Sequence, residues 1–332
     1  CASDECGGMT YSCVECGETE FVPFRCHGRV CPRCGKAYAE QWGRKLMDLL
    51  LPADHRHVIF TLPPAIWELV GMDIETLIDD LFHAARAVIE RLFKDRFKGF
   101  PVRPGMICVV HYTFRDMKWN PHIHMIVTEG GLTRRGEWRK HAYWPYQNMA
   151  AYWKYEVLRR LRFHLRHSLE AKAVIDRQWT MSFKDGTEGY VVKNYRDLRD
   201  LEALGSYLAR YMRHPPIGES RILGFNGDGV RIRYEWDNEV HETTVSTERF
   251  IEAMLSNIPP KWFQVVRRYG LYSNTIHGWA MAMMTGERYT ATTLDDYMCG
   301  PPVEVTCPTC GGVMEPMVLE YVRNGRWEMI IY

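Results

Sequence analysis

The stretch Pro121-His122-Ile123-His124-Met125-Ile126-Val127 decides how the rest of the chain is read. Successive side chains of a strand point to opposite faces, so His122 and His124 leave one face while Ile123 and Met125 enter the other. Two imidazoles on one rigid surface can share a metal ion. Just upstream, residues 106–114 have the pattern of a second strand and residues 115–120 that of a polar turn, which predicts an antiparallel hairpin. With the turn centred near Met117 and Lys118, His111 falls opposite His124 on the same face and is the favoured third ligand. Asp116, within the turn, is its rival, because a carboxylate suits a hard cation better.

Downstream, Tyr207-Leu208-Ala209-Arg210-Tyr211 reads as helix, stopped before Pro215-Pro216. Residues four apart stack one turn above the other, so Tyr207 and Tyr211 present two phenols side by side. A free phenol titrates near ~10, and its use as a nucleophile at neutral pH needs cations close by, which Arg210 and Arg213 can supply. Paired histidines with paired tyrosines are equipment for cutting and rejoining a nucleic-acid strand.

The 332 residues carry a formal net charge of only +1 and are 46% hydrophobic, which excludes a disordered polyelectrolyte and allows one large core or two modest ones. Nucleic-acid contacts must then rest on local basic patches. Candidates are Arg159, Arg160, Arg162 and Arg166 in a helix expected over residues 146–167, with Lys193, Arg210, Arg213, Lys261, Arg267 and Arg268. In several of these stretches basic residues interleave with aromatics, as suits a single strand whose phosphates follow cations and whose bases stack on rings. The competing reading of the 146–167 helix is a solvated face with its aromatics in the core. No apolar run approaches the roughly 20 residues that span a bilayer, no secretory pattern opens the chain, and no Gly-x-x-x-x-Gly-Lys loop is present. A soluble, intracellular protein without membrane contact or nucleotide cofactor is expected.

Seven of the eleven cysteines fall before residue 35. Cys13-x-x-Cys16 and Cys31-x-x-Cys34 have the spacing that wraps four thiolates around Zn²⁺. Cys1, Cys6 and Cys26, with the neighbouring His27, could complete a second site, so one or two structural zinc ions are expected. Cys307-x-x-Cys310, with Cys299 nearby, is an incomplete knuckle unless it borrows ligands from elsewhere. The expected division is a zinc-binding domain over 1–36, a connecting helix over 37–54, a catalytic domain over 55–218, and a C-terminal β-hairpin and helical extension over 219–332.

Taken together the motifs resemble the HUH rolling-circle transposases of the two-tyrosine insertion-sequence type, relatives of the Helitron transposases. The resemblance rests on Cys13-x-x-Cys16-Gly17, Cys26-His27-x-Arg29-x-Cys31-Pro32-x-Cys34-Gly35, Phe60-Thr61-Leu62-Pro63, Asn120-Pro121-His122-Ile123-His124 and Tyr207-x-x-x-Tyr211, in that order. It implies an α+β fold, with a central antiparallel sheet holding the histidines, flanking helices that include the tyrosine helix, and a small N-terminal zinc domain. It further implies Mg²⁺ or Mn²⁺ on His122 and His124, and a 5′-phosphotyrosine formed by Tyr207 or Tyr211. The implied partners are single-stranded DNA at mobile-element ends and target DNA, in the bacterial cytoplasm in association with the nucleoid. Two other readings stay open: a replication initiator or relaxase with the same chemistry, and a zinc nucleic-acid-binding protein that cuts nothing. Oligomeric state is left open.

Overall fold

The computed structural model describes residues 1, 3–26, 28, 30–181, 190, 192–198, 215–236, 239–258, 261–287, 305–323 and 326–331. Two compact units emerge, one of residues 1–38 with 292–332 and one of residues 39–291. In the first unit β1 (Gly8–Cys13) pairs antiparallel with β2 (Thr19–Pro23) on one side and with β12 (Met314–Arg323) on the other, and β13 (Arg326–Ile331) completes the order β13-β12-β1-β2. Among the described residues its apolar cluster is small: Cys13, Cys307 and Met314, flanked by Tyr11 and Val305. So little buried surface does not hold a fold of this size, and another tie is needed. The 219–332 extension expected from sequence is thereby divided, because β12 supplies the strand that β1 would otherwise lack.

α1 (Pro32–Leu49) carries the chain into the second unit. There an antiparallel sheet has the order β11-β4-β5-β3-β7, from β3 (His55–Phe60), β4 (Arg103–Thr113), β5 (Trp119–Leu132), β7 (Val192–Leu198) and β11 (Val266–Gly270), with β6 (Trp138–Lys140) on β5. Between β3 and β4 run α2 (Pro64–Met72) and α3 (Ile74–Arg96). Asp73 caps α3 by accepting from the Thr76 N–H at 3.1 Å, and Leu77, Leu81, Ala84, Val88 and Leu92 along its inner stripe are all buried. Each large side chain so buried contributes about 1.5–3 kcal/mol. The helix expected over 146–167 forms as α4 (Tyr146–His164), and a further helix follows it: Ser168 caps α5 (Leu169–Thr180) by accepting from the Ala171 N–H.

The expected hairpin after residue 220 is a three-stranded meander, β8 (Ile222–Phe225), β9 (Gly229–Trp236) and β10 (Glu239–Ser246), followed by α6 (Thr247–Ser256). Its Asn226–Gly229 turn forms as the sequence predicts, with the Asn226 carboxamide accepting from the N–H groups of Asp228 and Gly229. α7 (Asn274–Thr285) follows β11. Among the described residues no helix is long and apolar enough to cross a membrane.

Strand alternation then sorts the central sheet. Val58, Phe60, Met106, Cys108, Val110, Tyr112, Ile123, Met125 and Val127 join the large core, with α2, α3, α4 and α5 packed over them. The opposite face takes Ile107, Val109 and Ile126 into a smaller core under Leu46, Leu50, Leu51 and Ala280. Further along that second face, beyond the small core, the histidines emerge.

Candidate metal centres

On β4 and β5 the rings of His111, His122 and His124 meet, with one ligand atom of each within 4.8 Å of the others. His111 sits opposite His122, and Val109 opposite His124, so the register differs by two residues from the expected pairing of His111 with His124. The turn closes earlier than expected, between Phe114 and Lys118, which alone would shift the register by three, and the β-bulge between His111 and Thr113 takes one residue back. A shift of two preserves the face, which is why His111 still reaches the cluster. Asp116, the rival ligand, is held elsewhere: Lys118 pairs with its carboxylate at 2.5 Å and donates its backbone N–H to it. The carboxylate is not part of the cluster.

Two of the three rings are oriented from behind. The Nδ1–H of His122 donates to the Asn120 carbonyl at 2.6 Å, so Nε2 is the atom with a lone pair to offer. His124, 5% exposed, has its Nδ1 2.9 Å from Nε2 of His57 on β3. Burial, aided by the nearby His122 charge, pushes the His57 imidazole down to about 3 and keeps it neutral. Sequence reading passed over His57, although His55-Arg56-His57 repeats the alternation of His122-Ile123-His124. His55 serves a different end: its Nε2 meets the Tyr272 hydroxyl at 2.5 Å, and that hydroxyl accepts from the Leu51 N–H.

Tyr207, Tyr211, Arg210 and Arg213 lie outside the described residues, as do His27 and Cys299, and so does the Lys193 side chain. The basic candidates on α4, with Arg166 just past its end, sit on the sheet face away from the histidines, because α4 buries Trp153, Val157, Leu158 and Leu161 in the large core. They also have partners: Arg159 pairs with Glu156 at 2.8 Å, Arg160 with Asp80 and Glu156, Arg162 with Asp176, and Arg166 donates to the Phe163 carbonyl. Arg267 pairs with Asp79 on that same side of the sheet. Arg268 lies opposite Ile107 on the histidine face and donates to Asn274, while Lys261 stands over the exposed Trp262 ring.

The cysteines form two four-thiol clusters in the first unit, grouped differently from the sequence expectation. Cys13 and Cys16 join Cys307 and Cys310, whereas Cys31 and Cys34 join Cys1 and Cys26. Cys6 is in neither; its thiol is exposed beside the Ser3 hydroxyl. Sulfur separations of 3.4 Å for Cys1–Cys34, 3.5 Å for Cys13–Cys310 and 3.6 Å for Cys16–Cys307 approach the ~3.8 Å edge of a tetrahedron with Zn–S bonds near 2.3 Å. The regrouping has a local cause. In all three knuckles the first cysteine's carbonyl accepts from the glycine four residues on, but in the two β-hairpin knuckles that glycine, Gly17 at φ +72° and Gly311 at φ +76°, makes a left-handed turn. Cys31, by contrast, is followed by Pro32, which opens α1 and points that knuckle into a helix. Backbone N–H groups of Cys310 and Thr309 bring the Cys307 thiol down to about 7, which favours the thiolate a metal takes.

These features define an α+β enzyme with a three-imidazole site on an antiparallel sheet, joined to a cysteine-rich metal module. Residues 105–278 match the family profile Y2_Tnp, described as "Putative transposase", and residues 1–62 match one described as "Transposase zinc-binding domain". The chain belongs to the Y2 transposase family, whose profile covers more than half of it. It is 26% identical over 289 residues to the transposase for insertion sequence element IS801 of Pseudomonas savastanoi pv. phaseolicola, across 84% of this chain and 69% of that protein. It is likewise 26% identical over 294 residues to the Sinorhizobium fredii protein named "Putative transposase y4qJ", across 82% and 72% of the two chains. A solved structure, the origin-recognition/nickase domain of a human bocavirus non-structural protein 1, aligns at 16% identity over 44% of this chain and 68% of that one with a TM-score of 0.29, too slight a likeness to carry weight. The chain is therefore a transposase with a zinc-binding module, as the motif order implied.

Proposed function

We propose that the chain cuts and rejoins single-stranded DNA at the ends of a mobile element through a 5′-phosphotyrosine on Tyr207 or Tyr211. The observation that carries the reading is the convergence of His111, His122 and His124 on one sheet face, in a chain of the transposase family. Three imidazole nitrogens fit a divalent transition ion; of the two cations expected, Mn²⁺ suits them better than Mg²⁺, which prefers oxygen ligands. When bound, such an ion polarises the scissile phosphate and offsets the charge that develops on it. The backbone carbonyl of Asn120 orients His122 for this role.

One phenol attacks phosphorus and loses its proton while the P–O3′ bond breaks and the departing 3′-oxygen gains one. The 5′-phosphate stays on the tyrosine, so a free 3′-hydroxyl can reverse the step without ATP. A second phenol, four residues from the first in sequence, serves a second cut. Each four-cysteine cluster would hold one structural Zn²⁺. The test uses a single strand carrying an element end, labelled at its 3′ terminus, with Mn²⁺. The wild-type chain should yield a protein-linked labelled band, and Tyr207→Phe with Tyr211→Phe should abolish it while leaving DNA binding intact. A double variant that still forms the adduct overturns the reading.

A further inference from the structure

We infer that His57 is the positioning residue of the histidine site: it accepts the Nδ1–H of His124 and so holds His124 in the tautomer whose Nε2 can ligate a cation. The inference rests on the reading of the three histidines as a divalent-metal site and adds a fourth histidine to it.

A neutral imidazole has one donor and one acceptor nitrogen, so a hydrogen bond between two imidazoles leaves two arrangements. If His57 donated, His124 would carry its proton on Nε2 and have no lone pair for a metal. If His124 donates, Nε2 is released for ligation. Only the second arrangement agrees with the role given to His122, whose Nδ1–H is fixed by a carbonyl that can only accept.

The geometry suits a fixed partner. The two ring nitrogens are 2.9 Å apart, and the rings lie at 20° to one another with centroids 5.0 Å apart. His57 is fully buried, and its strand is paired on both sides, to β5 and β7, with Val58 and Phe60 anchored in the large core. The ring behind His124 thus cannot wander. Carboxylates often back metal-bound histidines and raise their basicity. An imidazole orients the ligand without adding a negative charge, so more of the cation's charge remains for a bound phosphate.

The test titrates zinc-replete full-length protein with Mn²⁺, following free Mn²⁺ by its electron paramagnetic resonance signal. His57→Leu fills the space but accepts nothing, and should weaken Mn²⁺ binding about 10–100-fold, whereas His57→Gln, whose carbonyl oxygen can take the same proton, should return it to within about 3-fold of wild type. Wild-type affinity in a folded His57→Leu protein overturns the inference. Independently of any variant's folding, ¹⁵N spectra of histidine-labelled wild-type protein, with His124 assigned by substitution, should show its proton on Nδ1. A proton on Nε2 overturns the inference as well. Failure of the underlying metal reading looks different: wild-type protein then binds no Mn²⁺ that His122→Ala removes.

Discussion

The histidine cluster and the two cysteine clusters are built in opposite ways. His111, His122 and His124 sit on adjacent strands over a fully packed core, and that core places them whether or not a cation is present. Cys13 and Cys310, whose sulfurs are 3.5 Å apart, are separated by 297 positions, and among the described residues two of the three buried side chains in their apolar cluster, Cys13 and Cys307, belong to the thiol set itself. In the first case the fold makes the site, and in the second the site makes the fold. Removing metal should therefore have opposite consequences in the two units.

The largest effect is expected at the cysteines, because zinc binding by structural sites of this kind is worth about 10–16 kcal/mol and is inseparable from folding. Cys16→Ser and Cys307→Ser should each cost one zinc, and the pair together no more than one. Cys16→Ser with Cys34→Ser should cost both. Zinc content by elemental analysis decides this, and the reverse pattern of additivity would restore the pairing of Cys13 and Cys16 with Cys31 and Cys34.

At the histidines the effect should fall on activity and leave the fold alone. His122→Ala or His124→Ala should lower strand cleavage by about 10³-fold, equivalent to ~4 kcal/mol, if the cation's charge stabilisation is lost. Zinc content and thermal midpoint should stay at wild-type values, since the large core on the other face is untouched. A concurrent loss of zinc would show that the two kinds of centre are not independent.

Sequence periodicity carried part of this distinction. The face of His122, His124 and His111 was legible because alternation survives a register error of two, and the bulge after His111 brings the three-residue shift of the early turn back to that even number. The sheet partner of β5 across the other edge was not legible: His57 lies 67 positions from His124, and strand order is a tertiary property. Cysteine pairing was hidden for a similar reason. All three knuckles read Cys-x-x-Cys-Gly, and what separates them is whether the chain continues into a hairpin or, after Pro32, into a helix. The basic helix was ambiguous from the start, because a stripe of arginines looks the same whether its partners are phosphates or Glu156, Asp80 and Asp176.

A third kind of histidine sharpens the contrast. His141, 1% exposed and packed against Phe93, Phe97 and Trp144, has no hydrogen-bond partner at either ring nitrogen among the described residues. Burial, with the Arg96 charge nearby, pushes its imidazole down to about 4 from an ordinary 6.5. The folded chain keeps it neutral while the unfolded chain protonates it below pH 6.5. Stability is thus unaffected above that pH and falls as pH drops from 6.5 towards 4, by about 3 kcal/mol in full. His141→Phe should remove that slope, read as the difference in urea midpoint between the two proteins at pH 7 and pH 4.5. Acid release of zinc is common to both and cancels. An unchanged slope would mean that His141 finds a proton acceptor in the folded protein.

The smallest effect belongs to the α4 arginines, and it tests which face of the sheet the DNA uses. Arg159 and Arg162 are half exposed and already paired with Glu156 and Asp176, on the side of the sheet that the histidines do not share. Exposed pairs of this kind are worth ~0.2–1 kcal/mol, so the double change to alanine should barely alter stability. If the DNA runs over the histidine face, its affinity for a single-stranded oligonucleotide should stay within about 2-fold, and the dependence of log K on log salt should keep its slope, which changes by about 0.7 for each single-strand phosphate contact removed. A slope reduced by about 1.4 would mean that both guanidiniums exchange their carboxylates for phosphates on binding. The basic, aromatic reading of α4 would then stand, and the DNA would have to pass around the sheet rather than along one face of it.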